Sequence, residues 1–302
     1  MNKTNVILAV IAIVVIAGAF YAHNRSSSSS TTASPEAMND NANGCVSGSL
    51  TASGSTALAP LAQEVAQKYQ AKCKDAQITI NLGGSGTGLT NVETSVSDIG
   101  NSDVFSKPGQ EDLVDHQVAV VIFGLMVNSQ VQVNSLTTKQ IQDIYAGNVT
   151  NWKQVGGNDL PIVVVSRPPS SGTRATFQNY ILGGPESISG PANLTTDSNG
   201  TVIKNVQQTA GAIGYAGTGP IKEAGLKILK IDGLEPIPAN VTNNSYKYWN
   251  IEHMYTKGDA SDIEKSFIDY MGSDDAKAAA TALDYMAVSD VPADILATHQ
   301  KH

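Results

Sequence analysis

The sequence predicts an α/β protein, and three observations carry that prediction. Apolar, β-branched runs alternate with stretches of helical periodicity from residue 46 onward. Three strand-to-helix junctions, 53–56, 83–88 and 170–173, are rich in Ser, Thr and Gly. The 302 residues suffice for two medium domains, and no internal repeat divides them. Ligands of open α/β sheets sit at the carboxyl ends of strands, against helix N-termini. Three such junctions, converging, make one anion pocket.

Composition excludes other classes. Hydrophobic residues make up 41% of the chain and charged residues only 15%, with a net charge of −8. No run of Lys and Arg occurs, so no nucleic acid partner is expected. An acidic chain can still bind a small anion, because local dipoles outweigh distant net charge at a desolvated site. The five His residues are scattered; no metal and no cofactor are expected.

The N-terminus sets the compartment. Val6 to Ala22 is an uninterrupted apolar run, preceded by Lys3 and followed by Arg25. Its length, about 17 residues, is short for a transmembrane helix and long for a signal-peptide core. Residues 1–25 are therefore read as a signal peptide or membrane anchor, the uncleaved anchor being preferred. Residues 26–44 read as a flexible Ser/Thr-rich stalk. Both readings place the remainder extracytoplasmic, anchored to the cell membrane or secreted after cleavage. Two cysteines, Cys45 and Cys73, bracket one strand–helix unit and predict a disulfide in an oxidising compartment. Sequons at Asn148, Asn193, Asn199, Asn240 and Asn243 give weak support for an exposed, secreted domain.

Taken in order, Val46 to Ala52 predicts a strand that ends at Ser53-Gly54-Ser55-Thr56. Leu58, Leu61, Val65 and Tyr69 recur at helical spacing after it, with Pro60 in the first turn. Ser55-Thr56 thus lies at a helix N-terminus, beside unpaired N–H groups. Ile78 to Leu82 is a second strand, Gly83 to Gly88 a Gly-rich turn, and Leu89 to Val96 a helix. The turn lacks the G-x-G-x-x-G spacing, a P-loop Lys and a nucleophile elbow. Val118 to Val127 is a long strand. Thr137 and Gln140 form a capping box ahead of Ile141, Ile144 and Tyr145. A turn at Asn151-Trp152 and Gly156-Gly157 leads to a strand at Pro161 to Val165.

The loop Ser166 to Arg174 then presents backbone N–H groups, small hydroxyls and a guanidinium to one point, which is anion-binding chemistry. Helices are expected at Ala175 to Leu182 and Val202 to Gln208, and a short strand at Ala212 to Tyr215. Residues 220–231 read as helix then strand, and Tyr246 to Tyr255 as a returning strand. Helices at Asp262 to Met271 and Asp275 to Met286 complete the pattern.

The ordered set Gly54-Ser55-Thr56, Gly84-Ser85-Gly86, Asp98 to Asp103, Ser166-Arg167 with Ser171-Gly172-Thr173-Arg174, and Gly211 to Tyr215 resembles the phosphate-binding proteins of ABC phosphate importers (PstS type). The intervening Leu136-Thr137, Gln140-Ile141, Ile144-Tyr145 and Thr150-Asn151-Trp152 match as well. The resemblance covers Val46 to Tyr215 well and the last quarter weakly. It implies a two-lobed, type II periplasmic-binding-protein fold with the ligand cleft between lobes: 46–123 and 245–302 as lobe I, 124–244 as lobe II. It implies phosphate contacts from the Thr56 hydroxyl, the Ala57 N–H, Ser85, Arg167, Ser171, Gly172 and Thr173, with Asp103 as the one acceptor. The implied partners are inorganic phosphate and the membrane permease and ATPase subunits of an ABC importer, the binding protein itself being a monomer.

Asp103 is the informative member. A carboxylate facing an anion is unfavourable unless a proton lies between them. Phosphate near neutral pH keeps an O–H to donate and sulfate keeps none, so Asp103 selects against sulfate. Arg174 is open between the pocket rim, a pair with Asp103 and a pair with a surface acid. Asp98 is read as structural, and Trp152 and Tyr215 as packing residues. His116 and His253 have no partner at a recognisable spacing. The alternatives are a binding protein for another oxyanion (sulfate, arsenate, molybdate, tungstate), a phosphatase or Ser hydrolase, and a sensor or adhesion module. The hydrolase reading lacks a Ser/His/acid arrangement in the sequence, so no catalytic residue and no enzymatic activity are expected.

Overall fold

The structure is a computed structural model describing residues 45–187 and 193–300, so the expected anchor and stalk lie outside the described residues. The first sheet grows from β1 (Gly48–Gly54), which pairs in parallel with both β2 (Ala76–Leu82) and β3 (Ile99–Ser102). Between β1 and β2 runs α1 (Ala59–Lys72), with Pro at its first turn and Leu61, Val65 and Tyr69 buried. The Cys45–Cys73 disulfide joins the approach to β1 to the C-terminal end of α1.

α2 (Ser85–Glu93) starts inside the Gly-rich turn, four residues earlier than periodicity suggests. Gly84, at φ 83°, supplies the turn into it. α2 ends at Glu93 rather than Val96, where Ser95 takes φ 57°.

β4 (Leu113–Val127) decides the architecture. It pairs antiparallel with β10 (Trp249–Lys257) as far as Ile122, and from Phe123 onward with β8 (Ala212–Gly217) and β9 (Lys227–Ile231). One strand therefore belongs to two sheets, and its residues 119–127 are all buried. The second sheet collects β5 (Ser135–Leu136), β6 (Val163–Ser166), β7 (Leu194–Thr195), β8 (Ala212–Gly217) and β9 (Lys227–Ile231). Its helices are α3 (Thr138–Tyr145), α4 (Gly172–Phe177, continued by a π turn to Leu182), α5 (Asn199–Gln208), α6 (Thr218–Glu223) and α7 (Pro238–Thr242). α3 carries the expected capping box of Thr137 and Gln140.

The chain returns through 246–248 to β10 (Trp249–Lys257), which lies between β3 and β4. The return is pinned at the crossing: Phe123 N–H donates to the Tyr248 carbonyl at 3.0 Å, and Tyr246 Oη donates to the Phe123 carbonyl at 2.8 Å. α8 (Asp262–Met271) and α9 (Asp274–Ala282) pack on α1, and α10 (Ala293–Leu296) follows near the C-terminus. The helix expected to reach Met286 stops at Ala282 instead. Asp284 takes φ 62°, and Tyr285–Met286 form β11 against β4. The result is a two-lobed mixed α/β fold in which the strand order β2-β1-β3-β10-β4-β8-β6-β7 passes from one lobe to the other along β4.

Candidate functional site

The three Ser/Thr/Gly-rich junctions meet. Gly54 ends β1 at φ 134°, a conformation that L side chains rarely adopt. An added Cβ there would lie 2.1 Å from the Asn101 carbonyl oxygen. The tight turn that follows aims Ser55 inward. Its Oγ accepts from the N–H groups of Ala57 (3.1 Å) and Leu58 (2.9 Å), so its own O–H is free to donate, and it donates to Asp103 Oδ1. Ser85, the first residue of α2, uses its Oγ twice: it accepts from the Asp103 N–H at 2.9 Å and donates to Asp103 Oδ1 at 3.1 Å. Thr173, in the first turn of α4, donates to Asp103 Oδ2 at 2.8 Å. Asp103 is 1% exposed and thus accepts from three hydroxyls, one of them on the far side of the cleft. Asn250 of β10 fixes the Asp103 carbonyl through its amide at 2.6 Å.

Arg167 leaves the end of β6 and is buried. Its guanidinium donates to Asn199 Oδ1 (2.8 Å), to the Asp197 carbonyl (3.1 Å) and to Thr56 Oγ1 (3.2 Å). Its Nε is buried without a hydrogen-bond partner among the described residues. Burial lowers its pKa, and the negative charge of Asp103 opposes that shift. Thr56 also accepts from the Asn199 N–H at 3.2 Å, so with two donors on its oxygen its proton is the part left to give. Ser171 caps α4, accepting from the Arg174 N–H at 3.2 Å. Gly172 lies where a Cβ would meet Ser85 Oγ at 2.3 Å and Asp103 Cβ at 2.8 Å. The Gly86 N–H donates to the Ser170 carbonyl at 2.9 Å, closing the rim.

The structure therefore brings Thr56, Ser85, Asp103, Arg167, Gly172 and Thr173 into one buried cluster. The Ala57 N–H, expected to face a ligand, points to Ser55 Oγ. Arg174 pairs with neither Asp103 nor a surface acid. Its Nε lies 3.2 Å from Glu186 Oε2, whose side chain is 1% exposed, and its Nη1 donates to the Arg167 carbonyl at 2.8 Å. Glu186 also accepts from Ser166 Oγ and, at 2.6 Å, from Tyr215 Oη, which makes a buttress beneath the Arg167 loop. Burial raises the pKa of Glu186, against those two hydrogen bonds and the charge of Arg174. The two histidines have partners after all: His116 Nε2 lies 3.2 Å from Thr256 Oγ1, and His253 Nδ1 2.7 Å from Asp115 Oδ1. Asp98 accepts from the Thr51 N–H at 2.7 Å, a contact within the first sheet.

A family model described as the PBP superfamily domain matches residues 39–275. The phosphate-binding protein PstS of Bacillus subtilis is 42% identical over 250 residues, which cover 81% of this chain and 82% of that protein. The chain belongs to the PstS-type phosphate-binding proteins of the PBP superfamily. The PstS of Borreliella burgdorferi is 26% identical over 73% of this chain and 83% of its own length. Among solved structures, one neighbour is the substrate-binding protein assigned to phosphate ABC transport in Clostridium perfringens, determined with bound phosphate. It is 34% identical, with a TM-score of 0.75, covering 80% of this chain and all (100%) of that one. An ABC-type phosphate transport receptor from Vibrio cholerae gives 28% identity and a TM-score of 0.63, over 78% and 99% of the two chains.

Four residues of the cluster escaped the sequence reading, each for a reason. Ser55 stands at the helix start, but nothing in the sequence aims its O–H at a residue 48 positions away. Asn199 stands in a sequon, yet it is 2% exposed and bonded to Arg167, which removes it as a glycan acceptor. Asn250 and Glu252 lie in the last quarter, where the resemblance is weak. Their signal is the alternation Trp249-Asn250-Ile251-Glu252, polar residues two apart in an apolar strand, which puts both on one face.

Proposed function

We propose that the chain binds inorganic phosphate outside the cytoplasm and delivers it to an ABC phosphate importer. The observation that carries this reading is Asp103: a buried carboxylate held by hydroxyls from both lobes, close enough to Arg167 for its charge to act on the guanidinium. A guanidinium alone suits any oxyanion. An ionised carboxylate beside it favours an oxyanion that brings its own proton.

Lobe I is taken as 46–123 with 245–302, and lobe II as 124–244. The proposed phosphate contacts are Thr56, Ser85, Asp103, Arg167, Gly172 and Thr173, with the Ser171 hydroxyl, whose oxygen caps α4, and the Ala57 N–H once it releases Ser55 Oγ. Arg167 supplies charge and Thr56 its remaining proton. The first N–H groups of α4, at Gly172 and Thr173, supply neutral donors. Ser85 and Thr173, which bond to Asp103 in this structure, serve as donors once a phosphate O–H takes their place at the carboxylate. Binding couples to closure because the donors come from both lobes. The closed form is what the permease and ATPase subunits recognise. No bond is made or broken, so the chain acts as a monomeric carrier and not as an enzyme. The N-terminal segment holds it at the membrane.

Calorimetric titration of the purified protein with phosphate, arsenate, sulfate and molybdate tests the reading. Micromolar or tighter phosphate binding, on the scale of about −8 kcal/mol, with no response to sulfate is expected. Equal sulfate binding moves the assignment to a general oxyanion carrier. Binding of neither sinks it, and steady phosphate release from an ester substrate replaces it with a hydrolase.

A further inference from the structure

We propose that Glu252 is a positioning residue for phosphate recognition: it holds a proton beside Asp103, so that the buried carboxyl pair bears one negative charge. The proposal rests on the phosphate reading above and adds a residue that the resemblance does not supply.

Three geometric facts carry it. Glu252 is 0% exposed, in the middle of β10, at the point where the β10–β4 register shifts between Glu252 and His253. Neither of its carboxyl oxygens makes a hydrogen bond of good geometry with any described residue. Its carboxyl lies against Ser55 and Asp103, on the face from which Asn250 reaches the Asp103 carbonyl at 2.6 Å.

The groups around it cannot neutralise a second charge. From the end of β3 comes Asp103, itself acidic, and from β11 comes Tyr285, whose phenol is kept neutral by burial and by the two carboxyls. Within β10, the neighbouring His253 is turned to Asp115 of β4. Arg167, across the cleft, is bonded to Thr56, Asn199 and Asp197 rather than to Glu252. Ser55 has only one proton and donates it to Asp103. A buried carboxylate with no cation and no donor is strongly unfavourable, and two carboxyls in one dry site do not both ionise. Burial first, and then the charge of Asp103, push the Glu252 pKa well above the carboxylate range.

The consequence is specific. With the proton on Glu252, Asp103 remains the acceptor for the phosphate O–H while the site carries one carboxylate charge instead of two. Loss of that proton at alkaline pH sets two negative charges against the incoming anion, and phosphate affinity falls.

Infrared difference spectroscopy and binding test this together. Ligand-free wild type at pH about 7 is expected to show a protonated-carboxyl stretch that shifts in Asp103→Asn, because only a carboxyl touching Asp103 responds. That band is expected to vanish in Glu252→Gln. Glu252→Leu, which has no donor, is expected to lose about tenfold or more in phosphate affinity, and Glu252→Gln to recover most of it with a flatter alkaline profile. The proposal is overturned if wild type shows no band that responds to Asp103→Asn, if the band persists in Glu252→Gln, or if Glu252→Leu binds like wild type. The infrared arm needs no ligand. A failure of phosphate binding in wild type therefore sinks the reading of the previous section and leaves the carboxyl pair to be judged separately, even if one variant does not fold.

Discussion

At the residue scale, the proposed selectivity and closure rest on two positions that differ in kind. Asp103 acts by charge. Asp103→Asn keeps the shape and, through its remaining carbonyl oxygen, an acceptor for Ser55 and Ser85, while it replaces the oxygen that accepts from Thr173 by an N–H donor and removes the negative charge that opposes sulfate. The phosphate-to-sulfate affinity ratio is therefore expected to fall by more than the phosphate affinity itself. Calorimetry with both anions measures this, and an unchanged ratio would refute the role given to the carboxylate. Gly172 acts by absence. A methyl group there would come within 2.3 Å of Ser85 Oγ and 2.8 Å of Asp103 Cβ, both across the cleft. Gly172→Ala is expected to cost about tenfold or more in phosphate affinity. Its melting temperature should stay near that of wild type, since the clash exists only when the lobes approach. An equal loss in both would mean that the contact is needed for folding and not for closure.

At the element scale, loops that hold the site are stiffened by local devices that the sequence announces. The disulfide closes the unit from Cys45 to Cys73, a separation of 28 residues, around β1 and α1, whose junction carries Ser55 and Thr56. Reduction is expected to destabilise the protein by about 3–4 kcal/mol in the chain-entropy model. A denaturant titration with and without reductant reads this. In α3 the Thr137–Gln140 box is present as the residue types predict. Thr137→Ala is expected to cost about 1 kcal/mol and to leave anion binding unchanged, because the Thr137 side chain bonds to Gln140 in its own helix start and to no cleft donor. Legibility in the sequence follows the same line. Periodicity found β1, α1, β2 and the long β4, because burial of one face writes a repeat into the residues. It missed the start of α2 by four residues, since a Gly-rich helix start has poor intrinsic propensity and is held instead by packing against Gly54 and Ser170. It also ran α9 through to Met286. The break there is a left-handed Asp284 and a strand pairing with β4, neither of which alters periodicity.

At the scale of the whole molecule, the buried acids couple stability to pH. Burial raises Glu252 well above 4.5 and raises Glu186 above the same value. A carboxyl whose folded pKa exceeds its unfolded one contributes stability that is fully present below the unfolded value, about 4.5, and lost as pH rises through the folded value. Wild type is therefore expected to lose stability as pH rises from about 4.5 through the raised folded value of Glu252, and Glu252→Gln to flatten that slope. Thermal melts across this range decide it; parallel slopes for the two proteins would show that Glu252 is ionised in the fold. Cross-cleft bonds from Arg167 to Thr56, Asn199 to Thr56, Thr173 to Asp103 and Gly86 to Ser170 also predict that phosphate shifts the solution ensemble toward the compact form. Small-angle scattering should show a smaller radius with phosphate and none of that change with sulfate.

The sequence alone determined the α/β class, the disulfide pair, the three Ser/Thr/Gly junctions and, through ordered motifs, the family. These features are local, or are repeated along the chain, so residue type and spacing record them. Only the tertiary structure decided what each polar group faces. It turned the Ala57 N–H to Ser55, Arg174 to Glu186 and Asn199 to Arg167, and it set Glu252 beside Asp103, 149 positions earlier in the numbering. Those partners lie far apart in sequence and meet because β4 joins two sheets and β10 inserts between β3 and β4. Hydrogen-bond and charge partners across such distances leave no period in a single chain, and a carboxyl's proton depends on its neighbours and its burial, which only the packed fold supplies.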